Sequence, residues 1–217
     1  MSNWYNQINH KTDTVLEQIK HHPFIKELVN GTLPKEIFYF YIHQDVIYLA
    51  EYKKILAQIG IRCEEDSETQ FFLDAATGII NVENALHQDF LKDQKSNKLA
   101  SPSCELYISY LSRIVNTKSL AEGLAAVLPC FTIYKQVGDY ILANQTNRSN
   151  NPYQNWINTY GGEEFEKSVN QAIHITNKYA TTASEEMILK MNTAFEKASK
   201  LEWMFWDSAY DQESWKI

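Results

Sequence analysis

Hydrophobic residues recur at steps of three and four along most of this chain, which is the period of one buried face of an α-helix. The clearest run covers 120–142 and places Leu120, Leu124, Val127, Phe131, Tyr134, Val137 and Ile141 on one face. The same pattern predicts helices over 3–20, 24–29, 34–62, 67–93, 104–116, 163–180 and 184–210, with a short segment at 152–160. The chain is therefore predicted to consist of amphipathic helices packed on a core.

Local signals mark the ends of several of these helices. Asn30-Gly31 is a usual C-terminal signal, and Pro34 lies near the first turn of the next helix, where its missing N–H costs least. The run 67–70, Ser-Glu-Thr-Gln, has the capping-box pattern and is predicted to start a helix. Ser184 is predicted to be an N-cap, because two glutamates follow it in the first turn.

One residue in the 120–142 run conflicts with a regular helix. Pro129 has no N–H to donate to the carbonyl of Ala125, and its ring crowds that carbonyl. We therefore expect the helix to bend or open at this turn, which would give the thiol of Cys130 room for a substrate. Taken alone, Cys130 is better explained as a small buried hydrophobic residue.

Two acidic residues interrupt apolar stripes on other predicted helices. Asp45 lies between Ile42 and Leu49 on the buried side of the helix over 34–62. Glu202 fills a gap in the stripe of the last helix, in line with Phe205. Burial would raise the pKa of such a carboxyl and suit it to acid–base chemistry near neutral pH. The alternatives are an aspartate at a helix edge that reaches solvent, and a core glutamate satisfied by a tyrosine or backbone group.

Composition limits the class of protein. The 217-residue chain contains only 7 glycines and 5 prolines, which favours long helices, and no linker or repeat divides it, so we expect a single domain over 1–217. The net charge of −7 and the absence of any basic run longer than a lysine pair argue against a nucleic-acid partner. The N-terminus lacks a signal-peptide pattern, and no apolar run approaches the roughly 18 residues of a membrane span. A cytoplasmic protein without a membrane partner is predicted.

Metal binding has little support in the sequence. Glu83 and His87 lie four residues apart on one helix face, but a di-iron bundle needs Glu-x-x-His from two helices and a second copy does not occur. A structural Glu–His hydrogen bond is the better interpretation. Cys63, Cys104 and Cys130 fit neither a disulfide framework nor a zinc pair and are predicted to be free thiols. Four other histidines are interpreted as ordinary polar or capping residues: His21, His22, His43 and His174.

Asp45, Cys130 and Glu202 thus each point from a different predicted helix towards the core. Each has an aromatic neighbour about one turn away, respectively Tyr48, Tyr134 and Phe205. A pocket with aromatic walls and two carboxylates suits a flat heterocycle that carries amino groups. Because the carboxylates do not make a nearby thiol acidic, its activation must come from a proton acceptor or from the substrate.

These residues resemble a known family. Leu128-Pro129-Cys130 followed by Tyr134 is similar to the nucleophile helix of the TenA family, the thiaminase II enzymes. Four further segments match in order and at similar spacing: His22-Pro23-Phe24 with Gly31-Thr32-Leu33-Pro34, Gln44-Asp45 with Tyr48, Trp156-Ile157 with Thr159-Tyr160-Gly161-Gly162, and Glu202 with Phe205-Trp206 and Ala209-Tyr210. The resemblance covers about residues 4–210. It implies an all-α, haem-oxygenase-like bundle that needs no cofactor or metal and assembles as a homotetramer.

The resemblance also assigns roles by position. Cys130 would be the nucleophile, Glu202 the acid/base, and Asp45 the partner of the exocyclic amino group of an aminopyrimidine. Residues that would line the pocket or position the site are Tyr48, Tyr107, Tyr134, Tyr160 and Phe205. Family members cleave thiamine, or hydrolyse 4-amino-5-aminomethyl-2-methylpyrimidine to its hydroxymethyl form. Phe131 departs from the family pattern, where an aromatic with a polar edge is frequent, and leaves the preferred substrate open.

Two other functions stay open on the sequence. A metal- or haem-dependent oxidase of the same helical superfamily would rest on Glu83, His87 and His174 alone. A non-catalytic module that binds thiamine-like pyrimidines, or responds to them, would use the same pocket without turnover.

Overall fold

A computed structural model describes residues 3–90, 99–146 and 148–217, with side chains described throughout these ranges except over 82–90. The described residues form α-helices and one short 3₁₀ turn, and they contain no β-strand. The helices are α1 (Trp4–Lys20), α2 (Pro23–Asn30), α3 (Lys35–Gly60), α4 (Asp66–Phe90), α5 (Pro102–Thr117), α6 (Leu120–Asn144), α7 (Gln154–Gly161), α8 (Glu163–Thr181) and α9 (Glu185–Tyr210). The predicted bounds agree within a few residues, and the predicted stretch beyond residue 90 lies outside the described residues.

Helix ends follow the expected chemistry at most positions. Gly31 ends α2 in the left-handed region, with φ of 69°, as its Asn-Gly signal predicts. The Ser184 hydroxyl accepts from the Met187 N–H and confirms that predicted cap. His22 caps α2 through its ring nitrogen Nδ1, which accepts from the Phe24 N–H. The interpretation of His22 as a capping residue is therefore confirmed.

The predicted capping box at 67–70 is wrong. The N–H groups of Glu68 and Thr69 both bond to the carbonyl of Glu65, so α4 begins at Asp66 and its first turn already contains the serine of the pattern. The capping box that does form is at the start of α6. There the Ser119 hydroxyl accepts from the Glu122 N–H while the Glu122 carboxylate accepts from the Ser119 N–H.

The expectation that the helix opens at Pro129 is also wrong. The α-helix continues from Leu120 to Asn144 through this residue. Two residues before Pro129, the carbonyl of Val127 accepts a hydrogen bond of 2.8 Å from the Tyr52 hydroxyl, which holds α3 against this part of α6. Cys130 is partly exposed all the same, so it reaches open space without a break in the helix.

The core is built around α6, which packs against α5, α7, α8 and α9, whereas α4 packs mainly on α3. Large aromatic rings fill the space between α3, α7 and α9. The Tyr41 and Trp206 rings stack with centroids 5.0 Å apart, and the Trp156 ring meets Trp206 edge-on at 5.9 Å. These rings fix the side of α6 on which the site lies.

An ion pair connects α4 and α8. The Lys178 ammonium on α8 contacts the carboxylate of Glu68 on α4 at 2.7 Å, and the Tyr179 hydroxyl donates to the same carboxylate at 2.9 Å. Glu68 is buried, whereas the Lys178 side chain is exposed and also contacts the carboxylate of Glu65, so salt can screen this pair. None of the helices in the described residues combines the length and the apolar character that membrane crossing requires.

A close backbone contact positions α7. A Cβ added at Gly138 of α6 would lie 2.9 Å from the Tyr160 carbonyl oxygen, so only glycine lets the two helices approach this far. Tyr160 is thereby brought next to Tyr134, with ring centroids 4.8 Å apart.

We expect Gly138→Ala to destabilise the protein by about 1–3 kcal/mol, because the added methyl meets backbone atoms that have no free rotation. Urea denaturation followed by circular dichroism measures this change. Gly78→Ala is the matched control, because a Cβ there meets nothing within 4 Å. It should stabilise α4 by about 0.5–1 kcal/mol through helix propensity. Equal effects at the two positions would contradict the α6–α7 contact.

Candidate active site

A cavity of about 430 Å³ lies between α3, α4, α6, α7 and α8. Its inner wall consists of side chains from α3 and α6, and its outer wall of side chains from α4 and α8. The residues that line it are Asp45, Tyr48, Leu49, Tyr52, Leu56, Phe71, Asp74, Ala75, Gly78, Ile79, Cys130, Phe131, Tyr134, Thr159, Tyr160, Glu164, Phe165 and Ser168. Its size falls in the range of small-molecule sites.

Five of the residues singled out from the sequence meet in this cavity. Asp45 and Tyr48 are three apart on α3, Cys130 and Tyr134 are four apart on α6, and Tyr160 joins them from α7. Residues at these spacings share one helix face, which is why α3 and α6 each present two of them to the same space. Helix packing therefore assembles groups that are more than a hundred residues apart in the chain.

The other three, Glu202, Tyr107 and Phe205, lie behind the cavity wall. The Tyr107 hydroxyl donates to Glu202 Oε1 over 2.6 Å. The Tyr48 ring covers them, with its centroid 4.9 Å from the Tyr107 ring and 5.6 Å from the Phe205 ring. Tyr107 and Phe205 therefore do not line the cavity, and a positioning role for them stays a prediction.

The Glu202 carboxyl is 1% exposed. Burial raises its pKa to about 8, and the negative charge of Asp45 adds to this rise, while the hydrogen bond from Tyr107 acts in the opposite direction. With this pKa, the Glu202 carboxyl keeps its proton in a large share of the protein molecules at neutral pH. It is suited to donate a proton and to accept one within a single reaction cycle.

The Cys130 thiol is held in its protonated form. Burial raises its pKa well above the usual range, and the charge of Glu202 raises it further. The hydroxyls of Tyr48 and Tyr52 lower it. The Tyr48 hydroxyl lies close enough to lower the pKa of the thiol, but it forms no hydrogen bond of normal geometry with any described residue. A thiol in this state is a weak nucleophile unless a proton acceptor or the substrate activates it.

Asp45 is 1% exposed, which rules out the helix-edge alternative in which its carboxylate reaches bulk solvent. It lines the cavity, where burial raises the pKa of Tyr41, Tyr134 and Tyr160 and the charge of Asp45 raises it further. A carboxylate at the wall of an aromatic cavity is an acceptor for N–H donors of a bound heterocycle.

The sequence missed several lining residues. Tyr52 follows Tyr48 by one turn and could have been found by extending the α3 stripe. Phe71, Asp74 and Gly78 on α4, with Glu164 and Phe165 on α8, carry no such signal, because an ordinary amphipathic helix has the same pattern. Tyr41 was also missed; its hydroxyl lies 3.2 Å from the Tyr134 hydroxyl and holds that ring in place.

Metal binding finds no support in the described part of the chain. There, no three His, Cys, Asp or Glu side chains form a group that could hold a metal ion. His174 is exposed, and the side chains of Glu83 and His87 lie outside the described residues. Cys63, Cys104 and Cys130 are free thiols, as predicted.

Comparison with known proteins gives one family match over most of the chain. The sequence model of the TENA/THI-4/PQQC family matches residues 10–212. The aminopyrimidine aminohydrolase of Bacillus subtilis is 32% identical over 200 residues, which cover 89% of this chain and 84% of that protein. The aminopyrimidine aminohydrolase of Helicobacter pylori is 30% identical over 195 residues, covering 87% and 90% of the two chains.

Solved structures give the same fold. A TenA homologue from Pyrococcus furiosus superposes with a TM-score of 0.89 at 21% identity, over 95% of this chain and 99% of that one. A domain with a heme oxygenase-like fold from Shewanella denitrificans superposes with a TM-score of 0.76 at 18% identity, over 95% and 92%. The predicted all-α, haem-oxygenase-like fold is confirmed.

The buried state of Glu202 predicts a pH-dependent stability. Its pKa is about 8 in the folded protein against a model value of 4.5. Between these values the unfolded chain has released the proton and the folded chain still holds it, so stability falls as pH rises and levels off above about pH 8. The difference amounts to roughly 4–5 kcal/mol at about 1.4 kcal/mol per pH unit.

Glu202→Gln should remove this part of the pH dependence. The measurement is urea denaturation of wild type and variant at several pH values between about 5 and 8.5. The wild-type advantage over the variant should shrink by several kcal/mol across this range. Glu185→Gln, at an exposed position on α9, should keep the wild-type slope. Parallel curves for wild type and Glu202→Gln would show that this carboxyl ionises normally.

Proposed function

Because the chain belongs to the TENA/THI-4/PQQC family, as its motifs predict, we propose that it is an aminopyrimidine aminohydrolase with thiaminase II activity. It is a hydrolase of C–N bonds that serves thiamine-pyrimidine salvage. One observation carries this proposal: Cys130 and Asp45 line a single aromatic cavity, with Glu202 buried directly behind its wall. A homotetramer and a cytoplasmic location belong to the same proposal.

In this proposal the pyrimidine stacks among the tyrosines and donates its exocyclic amino group to the Asp45 carboxylate. The charge on Asp45 selects a donor at this position and fixes the orientation of the ring. The substituted methylene then points towards the outer part of the cavity, and the electron-poor ring carbon faces the Cys130 sulfur.

The reaction proceeds by addition to the ring and elimination. The sulfur of Cys130 forms a bond to the ring as Glu202 donates its proton to a ring nitrogen. The thiol proton passes to the leaving amine when the aminomethyl pyrimidine is the substrate, and to water when thiamine is the substrate. The electron pair gained by the ring expels ammonia, or a thiazole when thiamine is the substrate. Water then adds to the exposed methylene and gives one proton to the Glu202 carboxylate. The C–S bond breaks as the ring nitrogen returns its proton to the sulfur, which restores the aromatic ring and the thiol.

Cys130→Ser should abolish formation of the hydroxymethyl pyrimidine, by at least about a thousandfold, because a serine hydroxyl with no strong base is a far weaker nucleophile. Product release from both thiamine and the aminomethyl pyrimidine is measured by mass spectrometry. Cys63→Ser, at a half-buried thiol outside the cavity lining, should keep wild-type turnover. Turnover by Cys130→Ser would exclude the covalent route, whereas wild-type binding without any product would identify a binding module.

Asp45→Asn should weaken binding of the hydroxymethyl pyrimidine by about ten- to a hundredfold, the effect of a lost hydrogen bond to a charged group. Calorimetry with this product and with its analogue that lacks the 4-amino group gives a double-mutant cycle. The wild type should prefer the amino compound, and the variant should lose that preference. An unchanged preference would assign the amino group to another partner.

A further inference from the structure

The residues that follow α9, at 211–217, turn back onto the start of α5, and we call them the α9 tail. The turn depends on Gln212, whose φ is 49°, a left-handed value that no other non-glycine residue adopts in the described part of the chain. The Glu213 N–H then donates to the carbonyl of Ser208 over 2.8 Å. A side chain makes the left-handed conformation unfavourable, so contacts made after the turn must hold it.

Two side chains of the α9 tail bind backbone groups at the start of α5. The Glu213 carboxylate accepts from the Ser103 N–H over 2.8 Å, and the Trp215 indole N–H donates to the carbonyl of Ala100 over 2.9 Å. Ser103 lies in the first turn of α5, where N–H groups lack partners within the helix and the helix dipole favours a negative charge. The α9 tail therefore holds the backbone on both sides of Pro102, the first residue of α5.

Helix α3 holds the same segment from the other side. The Gln44 side chain is 2% exposed. Its carbonyl oxygen accepts from the Ser101 N–H over 2.8 Å, and its amide group donates to the carbonyl of Leu99 over 3.2 Å. The backbone over 99–103 is thus bonded by side chains from α3 and from the α9 tail. Both sets of bonds fix where α5 begins.

The rest of α5 is anchored elsewhere. The Tyr110 hydroxyl donates to the carbonyl of Ala194 on α9 over 3.2 Å, and the Arg62 guanidinium binds carbonyls at the far end of α5. Tyr107 lies between the Tyr110 anchor and Ser103, one turn after Ser103 and on the same helix face. If the α9 tail were released, the start of α5 could pivot about Tyr110, and the Tyr107 hydroxyl would move with it.

We propose that the α9 tail positions the acid/base of the site: Glu213, supported by Trp215, holds the start of α5 so that Tyr107 stays within hydrogen-bond distance of Glu202. Helix α9 then acts twice, because it carries Glu202 and its tail fixes the partner of Glu202. None of the tail residues lines the cavity, so they are positioning residues and not catalytic ones. This inference rests on the proposed function for the role of Glu202 in turnover.

Glu213→Ala should lower kcat for formation of the hydroxymethyl pyrimidine about tenfold, the effect of weakening one hydrogen bond to a chargeable group. KM should change by less than twofold, because the residues that line the cavity are untouched. Glu213→Gln keeps an oxygen that accepts from the Ser103 N–H, so it should retain kcat within twofold.

The matched control is Glu105→Ala, which removes another acid from the first turn of α5 at an exposed position that does not bind the α9 tail. It should retain kcat within twofold. Equal losses of kcat in Glu105→Ala and Glu213→Ala would reduce the effect to the stability of α5 and overturn the positioning role.

Gln212→Pro tests the turn while all the contacting side chains stay in place. Proline cannot adopt a φ of 49°, so the α9 tail can no longer fold back, and kcat should fall about tenfold as in Glu213→Ala. Gln212→Gly is the control, because glycine adopts this conformation readily, and it should retain kcat within twofold. Wild-type kcat in Gln212→Pro would overturn the proposal.

A double-mutant cycle separates positioning from general stabilisation. In a Tyr107→Phe background the α9 tail has no hydroxyl to position, so adding Glu213→Ala should lower kcat by less than twofold. The same tenfold loss with and without the Tyr107 hydroxyl would show that the α9 tail acts only on stability, and would overturn the proposal.

Infrared spectroscopy tests the hydrogen bond without any turnover. The carbonyl band of protonated Glu202, recorded well below its pKa of about 8 and assigned by its loss in Glu202→Gln, should shift to higher frequency in Tyr107→Phe and in Glu213→Ala. If the wild type forms no product but the band shifts as expected, the proposed function is overturned and the positioning role stands. If the wild type turns over but Glu213→Ala leaves the band and kcat unchanged, the positioning role alone is overturned.

Discussion

The hydrogen bond between Tyr107 and Glu202 stabilises a carboxyl group that is buried in the core, where an ionised group is unfavourable. Burying an ionised carboxyl without a partner is strongly unfavourable, so the group holds a proton, accepts a hydrogen bond, or both. Here it does both, with Tyr107 as donor and a pKa of about 8. The surrounding rings of Tyr48 and Phe205 exclude water and maintain that state. The chemistry assigned to Cys130 depends on this protonated neighbour.

The helices around the carboxyl are held by contacts that leave little freedom. The Tyr52 hydroxyl fixes α3 to α6 at Val127, and Gly138 lets α7 approach α6 until Tyr160 meets Tyr134. Both contacts involve backbone atoms, so they set distances between helices rather than between flexible side chains. The inner wall of the cavity is therefore rigid, which is what preorganised catalysis needs.

The sequence predicts the helices well and singles out several residues that the structure brings together at the cavity, for the same physical reason. A period of three and four residues is a strong signal, and an acid inside an apolar stripe is conspicuous, which revealed Asp45 and Glu202. Local signals failed where neighbouring structure decided the outcome. The capping-box pattern at 67–70 does not begin a helix, because α4 already begins one residue earlier, at Asp66. The helix α6 continues through Pro129 without opening. Asp74, Gly78 and Glu164 were missed because α4 and α8 contribute to the cavity wall only through their packing in the fold.

The raised pKa of Glu202 has a thermodynamic consequence for recognition. A carboxyl that is partly protonated near pH 8 changes its proton occupancy whenever a ligand alters its surroundings. A ligand whose ring nitrogen takes up the proton, or whose positive charge stabilises the carboxylate, changes the number of protons bound to Glu202. Binding of that ligand then takes up protons from the buffer or releases protons to it. The measured heat of binding then contains the ionisation heat of that buffer, and the affinity varies with pH even for a ligand that does not titrate. Recognition in this cavity is coupled to proton activity as well as to shape.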